Sequence, residues 1–399
     1  MPKSPIGGMY ESSVNPVLEL AARILGDERP PVPPSLRFTL DFESEVWGTL
    51  ARLWFRTRGC RHTHRGGCAM CDYWISSEVN PSEMIASVRE GLSKLEAPPS
   101  TLLLNTSGSF LDSWEVPDVA RREILKAIRE ARPAAVTFET RADTVTEDKV
   151  AECVAILSPA RTAVELGVES TDDWILRFCV NKRMRGHDLR HAVNIIVGRG
   201  AIAVANVLVG LPFLSAGEQV ADSVGSISDS FGMGFGHCVL LPVNTKQFTI
   251  INWMEERGLY ARPPLWALVD VLCRTDPSLF PRIDIAWHRP QPDYHPSYVS
   301  RYRGPETCAL CFERVAGLFD EWRGSREREA LLNRITSLRC ECRERWDEAR
   351  RAAHTDLRTR VIQAYKRITD ELLGDGVWDR VTAPFTAMMP EHRIRGTAQ

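Results

Sequence analysis

Residues 56–74 read RTRGCRHTHRGGCAMCDYW, and this stretch decides which fold the chain can adopt. Its cysteines, Cys60, Cys68 and Cys71, have the spacing C-x7-C-x2-C on a loop that contains glycine. The loop directly follows the apolar run Leu50–Phe55, which predicts a buried strand. In a barrel of parallel strands, such a loop lies at the carboxyl end, where active sites are built.

Three thiolates on one loop can hold three irons of a [4Fe–4S] cube and leave the fourth iron free for a ligand. The alternatives are a zinc site completed by His62 or His64, and thiols that bind nothing. Zinc in a structural site takes four protein ligands, so the three cysteines alone favour the iron–sulfur cluster.

The rest of the chain predicts the fold around this loop. From residue 48 to 245, six apolar runs alternate with amphipathic helical stretches. Unbroken apolar strands separated by helices are typical of a parallel sheet covered by helices. The sequence therefore predicts an α/β protein, a partial (β/α)6 TIM-like barrel with a helical, cysteine-containing C-terminal region. The runs are Leu50–Phe55, Thr101–Asn105, Ala134–Glu139, Thr162–Leu166, Ile202–Val209 and His237–Val243.

Changes in composition predict four segments. An N-terminal extension precedes the barrel, and a proline-rich stretch, with eight prolines between Pro263 and Pro305, opens the C-terminal region. The end of the chain is charge-rich and predicted to be helical. The predicted boundaries are 1–47 for the N-terminal extension, 48–255 for the barrel, 256–350 for the C-terminal region with four cysteines, and 351–399 for the helical tail.

Composition excludes several classes of protein. With 44% hydrophobic and 26% charged residues the 399-residue chain is globular, and a net charge of −2 gives it no basic field for nucleic acid. The longest apolar run, Ala201–Leu214, is shorter than the roughly 20 residues of a membrane span. The first residues, MPKSPIGGMYESSV, lack the apolar segment of an export signal. We therefore expect a cytoplasmic protein without membrane contact, whose eleven cysteines serve metal binding or catalysis instead of disulfides.

A second group of cysteines lies near the start of the C-terminal region. Cys308 and Cys311 form a C-x2-C pair, and Cys340 and Cys342 form a C-x-C pair. Two close pairs suit a tetrahedral zinc site with four thiolates, which would pin the C-terminal helices to the barrel. The alternatives are a second iron–sulfur cluster and cysteines that bind substrate or no ligand.

Beyond the cysteines, an ordered series of motifs is similar to one enzyme family. The loop resembles the cluster loop of radical S-adenosylmethionine (SAM) enzymes, although their common spacing is C-x3-C-x2-C. The whole series resembles the branch that contains the radical SAM subunit of archaeosine synthase and the radical SAM domain of Elongator-type tRNA acetyltransferases. The resemblance covers residues 48–345. Its segments are Asn105–Asp112, Phe138–Arg141, Val164–Ser170, Asn181–Lys182, Asn206–Pro212, Leu240–Asn244 and Arg262–Trp266.

The resemblance implies an enzyme with two cofactors, a [4Fe–4S] cluster and SAM. One electron from a flavodoxin- or ferredoxin-type donor would enter the cluster and cleave SAM, and the resulting radical would modify a substrate. No catalytic residue is assigned beyond the cluster ligands Cys60, Cys68 and Cys71. The residues expected at SAM are Met70, Ser107, Gly108, Ser109, Glu139, Arg141, Glu169 and Lys182. The residues expected at the substrate are Glu165, His237, Asn244 and Lys246.

Glu139 and Arg141 carry the most specific expectation of this set. Their spacing of two places both side chains on one face of a strand. Arg141 could bind the carboxylate of SAM through two parallel hydrogen bonds. A mutual ion pair between Glu139 and Arg141 is the structural alternative.

The sequence is consistent with three functions. Resemblance to archaeosine synthase implies a modified base in tRNA, a lysine-modified deazaguanine handled together with a partner protein. A small-molecule natural-product enzyme is the alternative, including unconventional cleavage of SAM with transfer of its 3-amino-3-carboxypropyl group to an acceptor such as arsenite. The third is a zinc-bound scaffold without catalysis, which the charged strand ends disfavour because a scaffold has no use for them.

Overall fold

The computed structural model describes residues 15–29, 33, 35–45, 48–72, 78–290 and 302–395. The N-terminal sequence MPKSPIGGMYESSV lies outside the described residues. Tyr73 and Trp74, at the end of the cysteine loop, also lie outside them. Much of the proline-rich stretch, residues 291–301, also lies outside them.

The centre of the molecule is an eight-stranded sheet. Its strands follow the chain in the order β1-β2-β3-β4-β5-β6-β7-β9, with β1 antiparallel to β2 and every later pair parallel. A separate two-stranded ribbon pairs β8 with β10. The strands are β1 (Phe38–Glu45), β2 (Gly48–Phe55), β3 (Thr101–Asn105), β4 (Ala135–Thr140), β5 (Arg161–Glu169), β6 (Ile202–Val209), β7 (His237–Pro242), β8 (Thr245–Lys246), β9 (Ile283–Ile285) and β10 (Tyr302–Arg303).

Helices follow most of the parallel strands. The α-helices are α1 (Pro16–Asp27), α2 (Pro81–Leu92), α3 (Asp118–Glu130), α4 (Glu147–Leu157), α5 (Asp173–Ile175), α6 (Gly186–Gly198), α7 (Ala216–Met233), α8 (Ile250–Glu256), α9 (Leu265–Arg274), α10 (Ala309–Trp322), α11 (Arg328–Thr336), α12 (Glu341–Arg351), α13 (Leu357–Ile368) and α14 (Ala383–Ala387). Short 3-10 helices span Thr63–Arg65, Ala142–Thr144 and Pro277–Arg282, and π-helical turns span Leu176–Val180, Thr369–Leu373 and Trp378–Thr382. Among the described residues, no helix is both long and apolar enough to cross a membrane.

The predicted partial barrel is confirmed, and the six predicted strands are β2 to β7. Residues of one face of every strand from β1 to β7, and of β9, line a common cavity, so the sheet curls around it. Its edges, β1 and β9, do not pair with each other. Two strands are not predicted from the sequence. Strand β1 lies within the predicted N-terminal extension, and β9 has only three residues.

Two apolar cores support this architecture. The larger fills the space between the sheet and its covering helices. In the smaller, helices α1, α13 and α14 from the two ends of the chain pack around the turn Leu176–Val180 and the back of the cysteine loop. The amide of Asn15 joins the two ends by donating a hydrogen bond to the Tyr365 hydroxyl at 2.6 Å. Both ends of the chain therefore support the loop that carries Cys60, Cys68 and Cys71.

Candidate functional site

The concave face of the sheet encloses a cavity of about 1000 Å³. Cys60, Cys68 and Cys71 line it at the carboxyl end of the strands. None of them is in a disulfide. The loop after β2 thus presents its three thiols to the interior of the half-barrel, as its sequence predicts.

Asn181 fixes one side of the cysteine loop. It follows the π-helical turn and has a φ of +62°, a left-handed conformation that asparagine tolerates better than most residues. Its amide donates to the carbonyl of Gly67 at 2.6 Å, and its own carbonyl bonds the Nε2 atom of His62 at 2.7 Å. The amide of Ala69 donates to the carbonyl of Val180 at 2.8 Å. These hydrogen bonds hold the cysteine loop against the π-helical turn Leu176–Val180 through buried polar groups.

Glu115 and Gly108 fix the other side. A Cβ atom on Gly108 would lie 2.6 Å from the Cα of Cys60, so only glycine lets the segment after β3 pack on the loop. The buried carboxyl of Glu115 accepts hydrogen bonds from the Ser109 amide at 2.6 Å and from the Thr57 hydroxyl at 2.7 Å. Burial raises the pKa of Glu115 to about 7. This carboxyl clamps the β3 exit to the loop. No pattern in the sequence predicts this role, because Glu115 lies beyond the motif and matches no periodicity.

Arg141 stands beside the first cysteine. Its Nη1 atom lies 3.3 Å from the sulfur of Cys60, while its Nε and Nη2 atoms bond the two carboxylate oxygens of Asp143 at 2.9 and 3.1 Å. Asp112 lies 3.6 Å from Nη2. The alternative of a Glu139–Arg141 ion pair is therefore wrong, since the carboxylates that pair with Arg141 are those of Asp143 and Asp112. The guanidinium therefore places a positive charge beside the sulfur of Cys60.

A buried lysine lies near the second cysteine. The Nζ atom of Lys182 is 2.6 Å from the Oε1 atom of Glu169, and it also donates to the carbonyl of Gly167. Burial raises the pKa of the Cys68 thiol, and the charge of Lys182 opposes that rise. The loop therefore has one cation beside Cys60 and another near Cys68.

Further from the cysteines, the cavity holds buried acids. Burial and the neighbouring carboxyls of Glu165 and Glu169 raise the pKa of Glu139 to about 8. Burial also raises the pKa of Glu165, although the Asn206 amide donates to its Oε2 atom at 3.3 Å. Because desolvation penalises a bare carboxylate, these groups favour a bound cation or a shared proton.

Comparison with known proteins gives a consistent result, although no protein-family model matches the chain. It is 29% identical over 336 residues to archaeosine synthase subunit beta of Methanosarcina acetivorans, a match that covers 83% of this chain and 93% of that protein. It is 26% identical over 314 residues to the Thermococcus kodakarensis protein of the same name, covering 75% and 91%. These matches confirm the resemblance stated from the motifs. The chain is similar to the radical SAM enzymes of the archaeosine synthase branch.

One solved structure superposes on part of this chain. Archaeal Methanocaldococcus infernus Elp3, with its N-terminus deleted, superposes with a TM-score of 0.45 at 19% identity, over 62% of this chain and 62% of that one. Radical SAM proteins are enzymes that use a [4Fe–4S] cluster and SAM. The similarity to the two archaeosine synthase subunits bears out the predicted enzyme class and these two cofactors, whereas zinc stays a prediction.

The loop fits a cube better than a single ion. Within the described part of the chain, the four C-terminal cysteines are the only group of three or more His, Cys, Asp or Glu side chains gathered closely enough to share one metal ion. Cys60, Cys68 and Cys71, with or without His62 or His64, do not form such a group, as a zinc site would require. A cube would bind each cysteine to a different iron, and the cations beside Cys60 and Cys68 would offset its negative charge.

The structure brings the other predicted residues together with two exceptions, Ser109 and His237. Ser109 is fully buried behind the cavity wall, where its hydroxyl accepts a hydrogen bond from the Arg141 amide at 3.1 Å. His237 lines the cavity but is the first residue of β7, so it lies at the amino end of the sheet, away from the cysteines. The remaining lining residues are Met70, Ser107, Gly108, Glu139, Arg141, Glu165, Glu169, Lys182, Asn244 and Lys246.

Two of these residues have further contacts that bear on their roles. Met70 is buried in the smaller apolar core, which satisfies the packing alternative for this residue as well as placing it at the cavity. Lys246 lies 3.5 Å from the buried carboxylate of Asp72, the residue after the third cysteine. The ribbon strand β8 is thereby tied to the end of the cysteine loop.

Proposed function

We propose that this chain cleaves SAM reductively at a [4Fe–4S] cluster on Cys60, Cys68 and Cys71, and that it modifies a base in tRNA as archaeosine synthase does. The observation that carries the proposal is that the three thiols and the charged strand ends line one cavity. At about 1000 Å³ the cavity is at the upper end of the range for ligand pockets, which suits SAM together with part of a second substrate.

The chain's own residues would bind and orient SAM. Arg141 and Lys182 are the cations nearest the cysteines and suit the carboxylate of SAM, while Glu169 suits its ribose hydroxyls. Ser107 and Gly108 are small, so backbone carbonyls can approach the ammonium group closely. When bound, the cluster supplies the electron that cleaves a sulfur–carbon bond of SAM. The protein contributes the alignment of SAM with the substrate and the exclusion of water.

The acids in the middle of the cavity support a substrate that carries an amine. Glu139 and Glu165 are buried, and burial raises the pKa of both carboxyls. A substrate ammonium placed between them would give each carboxylate a partner and lower its pKa. The lysine-modified deazaguanine that the archaeosine synthase resemblance implies carries such an amine.

Recognition of tRNA would need a second protein. The net charge of −2 gives no support for independent binding to a polyanion. Two relatives are named as the beta subunit of their enzyme, so a partner subunit that contributes the basic surface is part of this proposal.

The second candidate is transfer of the 3-amino-3-carboxypropyl group to a soft acceptor such as arsenite. Binding of a soft acceptor by the C-terminal cysteines receives no support, because none of the four lines the cavity. This chemistry is therefore an outcome of the test and not a parallel proposal.

Product analysis tests the function. Anaerobically reconstituted protein is given SAM and a one-electron reductant, with and without tRNA bearing the lysine-modified base and the partner subunit. We expect 5′-deoxyadenosine, with more formed when the tRNA is present. Methylthioadenosine would indicate 3-amino-3-carboxypropyl transfer, and 5′-deoxyadenosine that tRNA never stimulates would overturn the tRNA substrate. Cys273→Ala, at an exposed cysteine outside both groups, is the control variant and should form the same products as the wild type.

A further inference from the structure

We propose that Cys308, Cys311, Cys340 and Cys342 bind one structural zinc ion that fixes helix α10 as a wall of the cavity. This inference goes beyond the proposed function and does not depend on it. The cysteines come from two segments that also begin two helices, α10 and α12.

The positions of the sulfur atoms suit one tetrahedral ion. All four lie within 4.8 Å of one another, and those of Cys308 and Cys340 are 3.5 Å apart. With zinc–sulfur bonds of about 2.3 Å, the edges of a thiolate tetrahedron are about 3.8 Å long. A disulfide needs about 2.05 Å between sulfurs, well below the 3.5 Å observed. A cube attaches each cysteine to a different iron, so its four sulfurs would stand further apart.

The surroundings of the sulfurs favour thiolates. Cys308 and Cys340 occupy the N-cap positions of α10 and α12, where the positive end of each helix dipole stabilises negative charge. The amide of Cys311 donates to the carbonyl of Cys308 at 3.0 Å, which closes a tight turn around the first pair. The indole N–H of Trp266 donates to the sulfur of Cys342 at 3.1 Å, a contact of the kind that orients metal ligands.

The two helices have different anchors. Helix α12 is held to α9 through Asp270, whose carboxylate accepts hydrogen bonds from Arg343 at 2.7 Å and from the Trp346 indole at 2.8 Å. Helix α10 is held at its far end, where the Trp322 indole donates to the carbonyl of Ile283 on β9 at 2.7 Å. An ion shared by the two cysteine pairs would fix the near end of α10 to the anchored α12.

Fixing α10 matters for the cavity. Phe319 and Asp320 on this helix, and Arg323 just after it, line the cavity wall beside β9. Four thiolates complete the coordination of zinc and leave no position for substrate. None of the four cysteines lines the cavity, so the ion would shape the pocket without entering the reaction.

Metal analysis of the full-length chain tests this proposal. We expect about one zinc per chain in the wild type, and none, with a lower melting temperature, in Cys308→Ser/Cys340→Ser. Cys273→Ser, an exposed cysteine outside the group, is the matched control and should keep the zinc. Iron bound at the four cysteines, or a Cys308–Cys340 disulfide found by mass spectrometry of unreduced protein, would overturn the proposal.

A second measurement covers failure of the double variant to fold. Wild-type protein is stripped of metal and loaded with cobalt(II), whose visible bands with four thiolates are diagnostic of tetrahedral geometry. The variant Cys60→Ala/Cys68→Ala/Cys71→Ala should give the same cobalt spectrum and keep its zinc. Wild-type protein that keeps its zinc but does not cleave SAM would contradict only the proposed function. Absence of the cobalt bands would contradict only the zinc site.

Discussion

The two cysteine groups of this chain place the same side chain in opposite surroundings. The loop group, Cys60, Cys68 and Cys71, lines the cavity, and its three sulfurs do not all lie within 4.8 Å of one another. The C-terminal group has four sulfurs within 4.8 Å of one another and does not line the cavity. A site that must accept a ligand leaves a position open, whereas a structural site closes its coordination with protein atoms. The two groups differ in the number of cysteines and in whether they line the cavity.

The supports of the two groups also differ. The loop is held by buried polar side chains, chiefly Glu115 on one side and Asn181 on the other. The C-terminal group lies at the N-termini of two helices that are anchored by indole and arginine hydrogen bonds elsewhere. We therefore expect the geometry of the loop to depend on protonation, and that of the C-terminal group to depend on metal.

The largest effect separates the two groups directly. In Cys60→Ala/Cys68→Ala/Cys71→Ala, SAM cleavage should fall to background and the brown iron absorbance should disappear, because no thiolate remains on the loop. The free energy of unfolding of cluster-free protein should change little, because all three side chains line the cavity and only Cys68 also packs against the smaller apolar core. Iron content, 5′-deoxyadenosine formation and urea unfolding are the measurements. Full retention of iron would show that the cluster is bound elsewhere.

The same contrast shows what the sequence could predict. The six strands β2 to β7 follow from unbroken apolar runs, and the cysteine loop follows from its spacing. Strand β1 was missed because Phe38–Glu45 alternates apolar and polar residues on an antiparallel edge, outside the repeated strand–helix pattern. Contacts between distant segments, such as Asn15 with Tyr365, leave no periodic signal.

The polar contacts of the site were predictable only in part. Motif resemblance pointed to Arg141, but its partners Asp143 and Asp112 depend on how the loops after β3 and β4 come together. Glu115 carried no signal because its role depends on burial between Thr57 and Ser109. Side-chain pairing across loops is a tertiary property, so spacing along the chain cannot determine it.

The second effect tests whether the cation beside the loop binds SAM. Lys cannot replace Arg141 in a bidentate contact, because an ammonium has no planar fork. Arg141→Lys should weaken SAM binding by about 1.5–3 kcal/mol, or roughly 10- to 150-fold, while iron content is unchanged. Calorimetric titration of SAM into cluster-loaded protein measures this.

The control for Arg141→Lys is Arg122→Lys, at a half-exposed arginine that pairs with Glu152 on the outer surface. It should bind SAM like the wild type. If Arg141→Lys also binds SAM normally but unfolds at lower urea concentration, Arg141 serves only to pair with Asp112 and Asp143.

The third effect concerns the protonation that holds the loop. The pKa of Glu115 is about 7 in the folded chain, raised by burial from an ordinary value near 4.5. The folded state therefore keeps a proton that the unfolded state releases, so this stabilisation is complete below pH 4.5 and is lost as the pH rises through 7. Between pH 5 and 8 we expect the free energy of unfolding to fall by about 1–2.5 kcal/mol through this group.

Glu115→Gln tests that expectation, because glutamine keeps a donor and an acceptor without titrating. Urea unfolding of zinc-loaded, cluster-free protein at several pH values should give a shallower dependence for the variant. Asp222→Asn is the control, since burial also raises the pKa of Asp222 to about 7 but its carboxylate bonds Ser170, away from the loop. Asp222→Asn should also flatten the pH dependence of the free energy of unfolding, but it should leave the pH profile of SAM cleavage unchanged. Identical slopes for wild type and Glu115→Gln would contradict the assignment.

The smallest effect belongs to the C-terminal group. Trp266→Phe removes the indole N–H that donates to the sulfur of Cys342 but keeps an aromatic ring in the apolar core. A lost hydrogen bond to a metal ligand typically costs at least about tenfold in metal affinity, so zinc should dissociate about tenfold more readily to a competing chelator. The matched variant Trp322→Phe removes an indole hydrogen bond at the other end of α10, to the carbonyl of Ile283, and should lower stability without changing zinc affinity. Equal zinc affinity in Trp266→Phe and wild type would mean that the indole only packs against the cysteines, and that the helix ends alone hold the ligands.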